Sequence, residues 1–394
     1  GVSAAVEREI GAWNNPTVNH GWHLLASPMV AQAISNEFVP TPFGTSEDFY
    51  AWWEPTNEWV NFKNTAGTSW NTANVLGNTN GGGYFIPGKG YLVEYENTVT
   101  KTFSGVLNTG DFGVNDLTIS AGTNRGSHLL GNPYPSALTF GTASWTLSHI
   151  AGTAKIWNEA YASYTDIASG TGVIPPLNGF MVQVEAGYSG DNSLVIPADA
   201  RVHTSTPWYK TTGNPFILLV ARDPEGHTAQ ESVIRFNSAA TTAIDPAFDS
   251  YFIAGYAPQF YAVAGNEHLS TIALPDAGGV VQVPFDFIKT EGTGFIIEAE
   301  AISDIYGPVI LKDLKTNTTS DLTTDPVYHF TAAEGDNPSR FLVTFRHVGM
   351  QETTEKNPFT FYTSGSNIFV AGEALQSGGK VFVYSILGQL IARQ

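Results

Sequence analysis

The segment Gly21-Trp22-His23-Leu24-Leu25-Ala26-Ser27-Pro28 recurs 105 residues later as Gly126-Ser127-His128-Leu129-Leu130-Gly131-Asn132-Pro133. Trp52 matches Trp157 and Trp59 matches Tyr164 at that same offset of 105. A second landmark, Gly88-Lys89-Gly90-Tyr91-Leu92-Val93, matches Leu177-Asn178-Gly179-Phe180-Met181-Val182 at an offset of 89. The first copy therefore carries 16 additional residues, which fall in the Gly-, Asn- and Thr-rich stretch from Asn64 to Pro87. A duplicated supersecondary unit constrains the fold strongly, because one local structure has to serve twice.

Each copy predicts the same path. A short apolar strand (His23 to Ala26, His128 to Gly131) runs into Ser-Pro or Asn-Pro. Proline has no N–H to give a ladder and holds its predecessor extended, so the strand stops there. A hairpin follows: Asp48 to Glu54 with Glu58 to Lys63 in the first copy, Ala154 to Trp157 with Tyr161 to Ile167 in the second. A glycine then opens the strand Tyr91 to Tyr95 or Phe180 to Val184, which signals a bulge or a close approach of another backbone.

A chain of 394 residues is too long for one core. Charged residues make up only 14% and aromatics 12%, with 40 glycines and 22 prolines, a balance that suits short strands and many turns rather than disorder. The expected fold is all-β: tandem sandwich- or jelly-roll-like domains with an internal duplication. Residues 1–115 form the first repeat module, led by the edge-strand-like piece Val6 to Ile10, and 116–205 the second. The Pro-containing stretch from Thr204 to Asn214 reads as a linker. Residues 206–350 read as a jelly-roll or immunoglobulin-like sandwich, with strands at Phe216 to Ala221, Glu231 to Phe236, Phe295 to Ala299, Val309 to Leu314, Val327 to Phe330 and Phe341 to Phe345. Val30 to Phe38 is the best candidate for a short helix.

The net charge of −18 argues against nucleic acid and anionic membranes as partners. Cysteine is absent, which excludes Cys-based metal or redox chemistry and fits a bacterial secreted protein. No signal peptide and no apolar run of membrane-spanning length is evident, so no membrane span is expected.

The repeat motifs, the run Ile196-Pro197-Ala198-Asp199-Ala200-Arg201-Val202-His203 and Leu311-Lys312-Asp313-Leu314 together resemble large exported surface proteins of Bacteroidetes. The tail Gly379-Lys380-Val381-Phe382-Val383-Tyr384-Ser385-Ile386-Leu387-Gly388-Gln389-Leu390 is similar to the opening half of their type IX secretion sorting domain. The resemblance implies export through the periplasm to the cell surface or beyond. It makes the secretion machinery a partner of the tail through Val381, Phe382, Val383, Tyr384, Leu387 and Gly388. It also implies that 351–394 is an incomplete sorting-type sandwich, as in a fragment of a longer protein, and it says almost nothing about activity.

The chemistry-bearing residues point the same way. No Gly-x-Ser-x-Gly elbow and no His-Glu-x-x-His motif occurs. His23 and His128 occupy equivalent repeat positions, which favours a structural role over a paired catalytic one. A glycoside hydrolase would need two carboxylates facing across a cleft, and no spacing places them so. Acidic turns at Asp245 to Asp249, Asp223 to Glu225 and Glu334 to Asn337 offer hard oxygen ligands. Ca²⁺ is the one cofactor they would suit, at Asp245 and Asp249, although such residues more commonly cap and solvate turns. Aromatics crowd the first copy. Trp52 has a repeat partner in Trp157 and reads as structural; Trp53 and Trp70 have none and are the candidates for stacking on a ligand or a neighbouring domain. These features predict a non-catalytic surface or extracellular protein, acting as a spacer, adhesin or filament component through self-assembly or contact with other surface proteins. A glycan-binding accessory region of a larger secreted enzyme is the alternative.

Overall fold

The structure is a computed structural model. It describes residues 1–394 except 14–20, 65–69, 71–82, 123, 204–215, 224, 276–278, 304, 306, 348–359, 365–366, 372–381, 385–389 and 394; at 279 and from 346 onward it describes backbone only. The chain is all-β and divides into two compact units, Gly1–Val348 and Gly349–Gln394. Among the described residues no helix is long and apolar enough to cross a membrane.

The two sequence copies fold into matching four-stranded antiparallel sheets. The strand order is His23–Leu25, Tyr91–Tyr95, Glu47–Trp53, Glu58–Asn61 in the first and Ser127–Gly131, Gly179–Gln183, Thr153–Asn158, Ser163–Ala168 in the second. The register repeats too. His23 pairs with Val93 as His128 pairs with Val182, and Trp52 pairs with Trp59 as Trp157 pairs with Tyr164. Both edge strands end before Pro28 and Pro133, where the ladder loses its donor.

Alternation of side chains gives each sheet one face for its own core. In the first copy Phe49, Tyr91 and Val93 face Phe38, Phe85 and Phe103. The antiparallel pair Ser3–Ile10 and Val99–Val106 contributes Ile10 and Phe103 to this core. In the second copy Leu130, Ile156 and Phe180 pack with Tyr134, Phe140 and Trp145.

Val30 to Phe38 does not form the expected helix. Asn36 has a left-handed backbone (φ 72°), and the segment spends its polar groups outward: Ile34 N donates to Gly83 O, Phe85 N to Gln32 O, and Ser104 N to Gln32 Oε1. Tertiary pairing has overridden local propensity.

From Phe216 to His347 the chain forms one eleven-stranded sheet that rolls into a nearly closed barrel. Its interior holds Ile217, Leu219, Phe236, Phe260, Phe285 and Phe341. The edge strands, Thr318–Asp321 and Val327–Thr331, lie at the two ends of the strand order, and Thr318 Oγ1 meets the Tyr328 hydroxyl at 2.9 Å. Inside, Arg340 grips Asp313 with both Nε (3.1 Å) and Nη2 (2.7 Å), and Nη1 donates to Thr331 O (2.8 Å).

In the second compact unit, Thr360–Ser364 pairs with Asn367–Ala371 and Phe382–Tyr384 pairs with Leu390–Arg393. Phe382, Val383 and Tyr384 are thus on a strand, whereas Val381, Leu387 and Gly388 lie outside the described residues.

Candidate functional site

The two repeats meet edge to edge in a reciprocal joint. Ala26 N donates to Leu177 O at 2.9 Å; at the matching positions of the other copy, Gly131 N donates to Gly88 O, also at 2.9 Å. Such exchange is the mark of a local two-fold. Two glycines permit it. A Cβ on Gly90 would stand 2.3 Å from Leu130 O, and one on Gly131 would stand 2.4 Å from Lys89 O. The glycine that opens the first repeat's inner strand is therefore there for close backbone approach.

The conserved geometry extends to the polar groups. Glu54 and Glu159 occupy equivalent positions at the hairpin turns, and each reaches across the joint. Glu159 Oε1 lies 2.5 Å from His23 Nδ1, while His23 Nε2 lies 3.2 Å from Gly11 O. Glu54 is fully buried and accepts from Thr118 Oγ1, Ser120 N, Ser120 Oγ and Gly126 N at 2.6–2.8 Å, all on the approach to the second repeat. Burial pushes the Glu54 carboxyl up, but these bonds outweigh it and hold the group below the ordinary carboxylate range. His128 is buried against Thr118 O (2.8 Å), and burial lowers its pKa. His23 thus braces the joint directly, whereas His128 holds the Thr118 segment that binds Glu54, and its Nδ1 has no hydrogen-bond partner among the described residues.

Around the local two-fold lies a small apolar cluster built largely from equivalent pairs: Leu24 with Leu129, Trp52 with Trp157, Trp59 with Tyr164, and Leu92 with Met181. Trp52 Nε1 donates to Ser127 O at 2.6 Å, and its ring sits 5.1 Å from Trp59. Trp157 meets Tyr164 edge-on at 5.1 Å. On one side this cluster opens into a pocket of about 360 Å³ lined by Trp22, Tyr50, Trp59, Trp157, Tyr164 and Tyr256. Tyr256 comes from a barrel loop pinned to the second repeat, where Tyr256 N donates to Ala162 O at 2.9 Å. Beside Gly255 there is no room: a Cβ would meet Ala162 O at 2.6 Å.

Polar groups continue the same sheet face. Asp48 and Tyr50 alternate with core residues on one strand, Glu94 is paired to Asp48, and Asn61 is paired to Tyr50. Asn61 Nδ2 donates to Asp48 Oδ1 at 2.8 Å. Burial, helped by the neighbouring Asp48, pushes the Glu94 carboxyl up to about 7. The face therefore runs from stacked rings to hydrogen-bonding carboxyl and amide groups.

The residues singled out in the sequence lie elsewhere. Trp53 points to the opposite side of the strand from Trp52 and is half-buried outside the pocket. Trp70 is a core residue, 4% exposed and packed on Phe62, Phe49 and a stacked Tyr91. So buried, its ring is not open to a ligand. Asp245 and Asp249 cap a turn: Asp249 accepts from Ala273 N and Asp245 N (both 2.7 Å), and Asp245 accepts from Thr241 N (2.5 Å). Among the described residues no group of three His, Cys, Asp or Glu gathers there or elsewhere. Tyr50 and Tyr256 went unnoticed in the sequence. The period-two alternation with Trp52 would have exposed Tyr50; nothing local marks Tyr256. Compared with protein families, curated proteins and solved structures, the chain matches none.

Proposed function

We propose that this is a non-catalytic exported surface protein of adhesive type, whose adhesive element is the aromatic pocket at the repeat joint and whose ligand is an uncharged glycan. The observation that carries the reading is the convergence of six aromatic side chains from three parts of the chain on one open pocket. Pyranose rings present apolar C–H faces that stack on such rings, while their hydroxyls bond to polar groups placed at the rim. Asp48, Asn61 and Glu94 stand on the continuing face for that purpose. The resemblance of the tail to a type IX sorting domain supports export, with the secretion machinery as its partner.

A glycan array followed by calorimetry tests the reading. Trp59→Ala and Tyr256→Ala should each weaken binding at least about tenfold, as loss of a stacking residue does. Trp53→Ala should leave it unchanged. A folded protein that binds no glycan, or whose binding survives both pocket variants, would refute the proposal. Multimers or fibres formed without glycan binding would instead favour the spacer or filament role.

A further inference from the structure

A second cavity, about 630 Å³, lies between the second repeat's hairpin and the outer face of the barrel. Its volume falls within the roughly 300–1,000 Å³ typical of small-molecule sites. On the barrel side, strand Ala229–Phe236 turns Ile234 and Phe236 inward to the core and Glu231, Val233 and Arg235 outward to the cavity. The remaining lining is mostly apolar, with Tyr164, Ile167, Val173, Phe216 and Leu218 prominent.

Two of the carboxylates in this cavity have cationic partners. Asp166 is bound by Lys155 and accepts from Ser270 and Thr271 hydroxyls (2.9 and 2.6 Å). Glu300 is paired with Arg222 at 2.7 Å. Glu231 accepts from Thr165 Oγ1 at 3.0 Å. Arg235 makes no salt bridge among the described residues, and its buried Nε has no hydrogen-bond partner. Asp166 acts on Arg235 through space, but a guanidinium whose buried donor is unsatisfied still has room for an acceptor.

We propose that this cavity binds a small organic monocarboxylate with an apolar body, its carboxylate gripped by Arg235. The planar guanidinium matches a carboxylate in charge and geometry. Dianions such as phosphate are disfavoured, because Glu231, Asp166 and Glu300 face the same space and a single guanidinium cannot neutralise two charges. The site is distinct from the aromatic pocket, and Tyr164 is the wall they share.

Calorimetry on the full chain tests this with octanoate and phenylacetate as probes and octanamide and phenylacetamide as their neutral counterparts. The acids should bind at least about tenfold more tightly than the amides. Arg235→Met should abolish that preference, Arg235→Lys should retain part of it, and Trp59→Ala should leave it intact. Should Arg235→Met fail to fold, Leu218→Trp supplies the second arm, filling the cavity while keeping the charge, and should block the acids. Equal affinity for acids and amides, acid binding unchanged in a folded Arg235→Met or Leu218→Trp variant, or no acid binding at roughly millimolar probe would each overturn the proposal.

Discussion

Glu54→Gln removes a single charge from the middle of the repeat joint and leaves the shape intact. The wild-type carboxylate takes Ser120 N (2.7 Å), Ser120 Oγ (2.8 Å) and Gly126 N (2.7 Å) on Oε1, and Thr118 Oγ1 (2.6 Å) on Oε2. A glutamine carbonyl can keep the first three, and the Thr118 hydroxyl can turn to accept from the new amide. What disappears is charge assistance. Hydrogen bonds to charged groups contribute about 1.5–3 kcal/mol against about 0.5–1.5 for neutral ones. Over four contacts, discounted for non-additivity, the expected loss is about 2–4 kcal/mol. Glu54→Leu should cost more, because it strands two buried N–H donors at about 1–3 kcal/mol each. The pH dependence follows from the lowered pKa. Folding favours the ionised form, so the stabilisation is present above the ordinary carboxylate pKa of about 4 and is lost as pH falls through the lower folded value. Urea unfolding followed by tryptophan fluorescence reads this out, since Trp52 donates across the same joint. The difference between wild type and Glu54→Gln should be full at pH 7 and shrink steadily in acid. Equal midpoints at neutral pH, or a gap that does not close in acid, would refute the reasoning. Glu159→Gln is the control: its side chain is 43% exposed, and a loss under about 1 kcal/mol is expected.

Gly90→Ala drives a Cβ to 2.3 Å from Leu130 O and should cost about 1–3 kcal/mol by thermal melting, whereas Gly110→Ala, with nothing within 4 Å of its new Cβ, should stay within about 0.5 kcal/mol of wild type. Arg340→Met leaves Asp313 buried without its partner and should cost about 3–5 kcal/mol, while Arg340→Met with Asp313→Leu should recover much of that in the same denaturation assay. Burial raises the Glu231 carboxyl to about 7, so folding favours its protonated form and stability should decline as pH rises from about 4 through 7. Glu231→Gln should remove that decline and melt higher than wild type at pH 8, by about 1–2 kcal/mol, with no advantage at pH 4.

The repeat was legible because pairing register follows from where apolar residues must face. The offsets that align Leu24 with Leu129 and Leu92 with Met181 also align their ladders. The barrel was only half legible. Thr318–Asp321 is too polar to read as a strand, and Gly279–Ile288 carries Pro284 in mid-strand, opposite Leu342, where a ladder donor is missing. Jelly-roll and rolled-sheet alternatives share one alternation pattern, so the strands alone do not distinguish them. The site was harder. A repeat partner marks Trp52 as structural in the sequence, yet the pocket is assembled from partnered positions, Trp59 with Tyr164 and Trp157 with Trp52 beside it. Trp70 shows the converse: without a repeat partner it reads as a candidate for stacking, and only tertiary packing sends it into the core.

The reciprocal joint has a further consequence because its halves belong to one chain. Two identical subunits meeting on a two-fold would build a pocket with identical walls, and a rod-like ligand would enter either way round. Here Tyr50 is answered by Lys155, Trp22 by Ser127, and Trp59 by Tyr164. Duplication within a single chain has let the walls diverge while the joint stayed reciprocal. On the proposed reading, a glycan lying across this pocket would meet the carboxyls of Asp48 and Glu94 at one end only, and would be read with a direction.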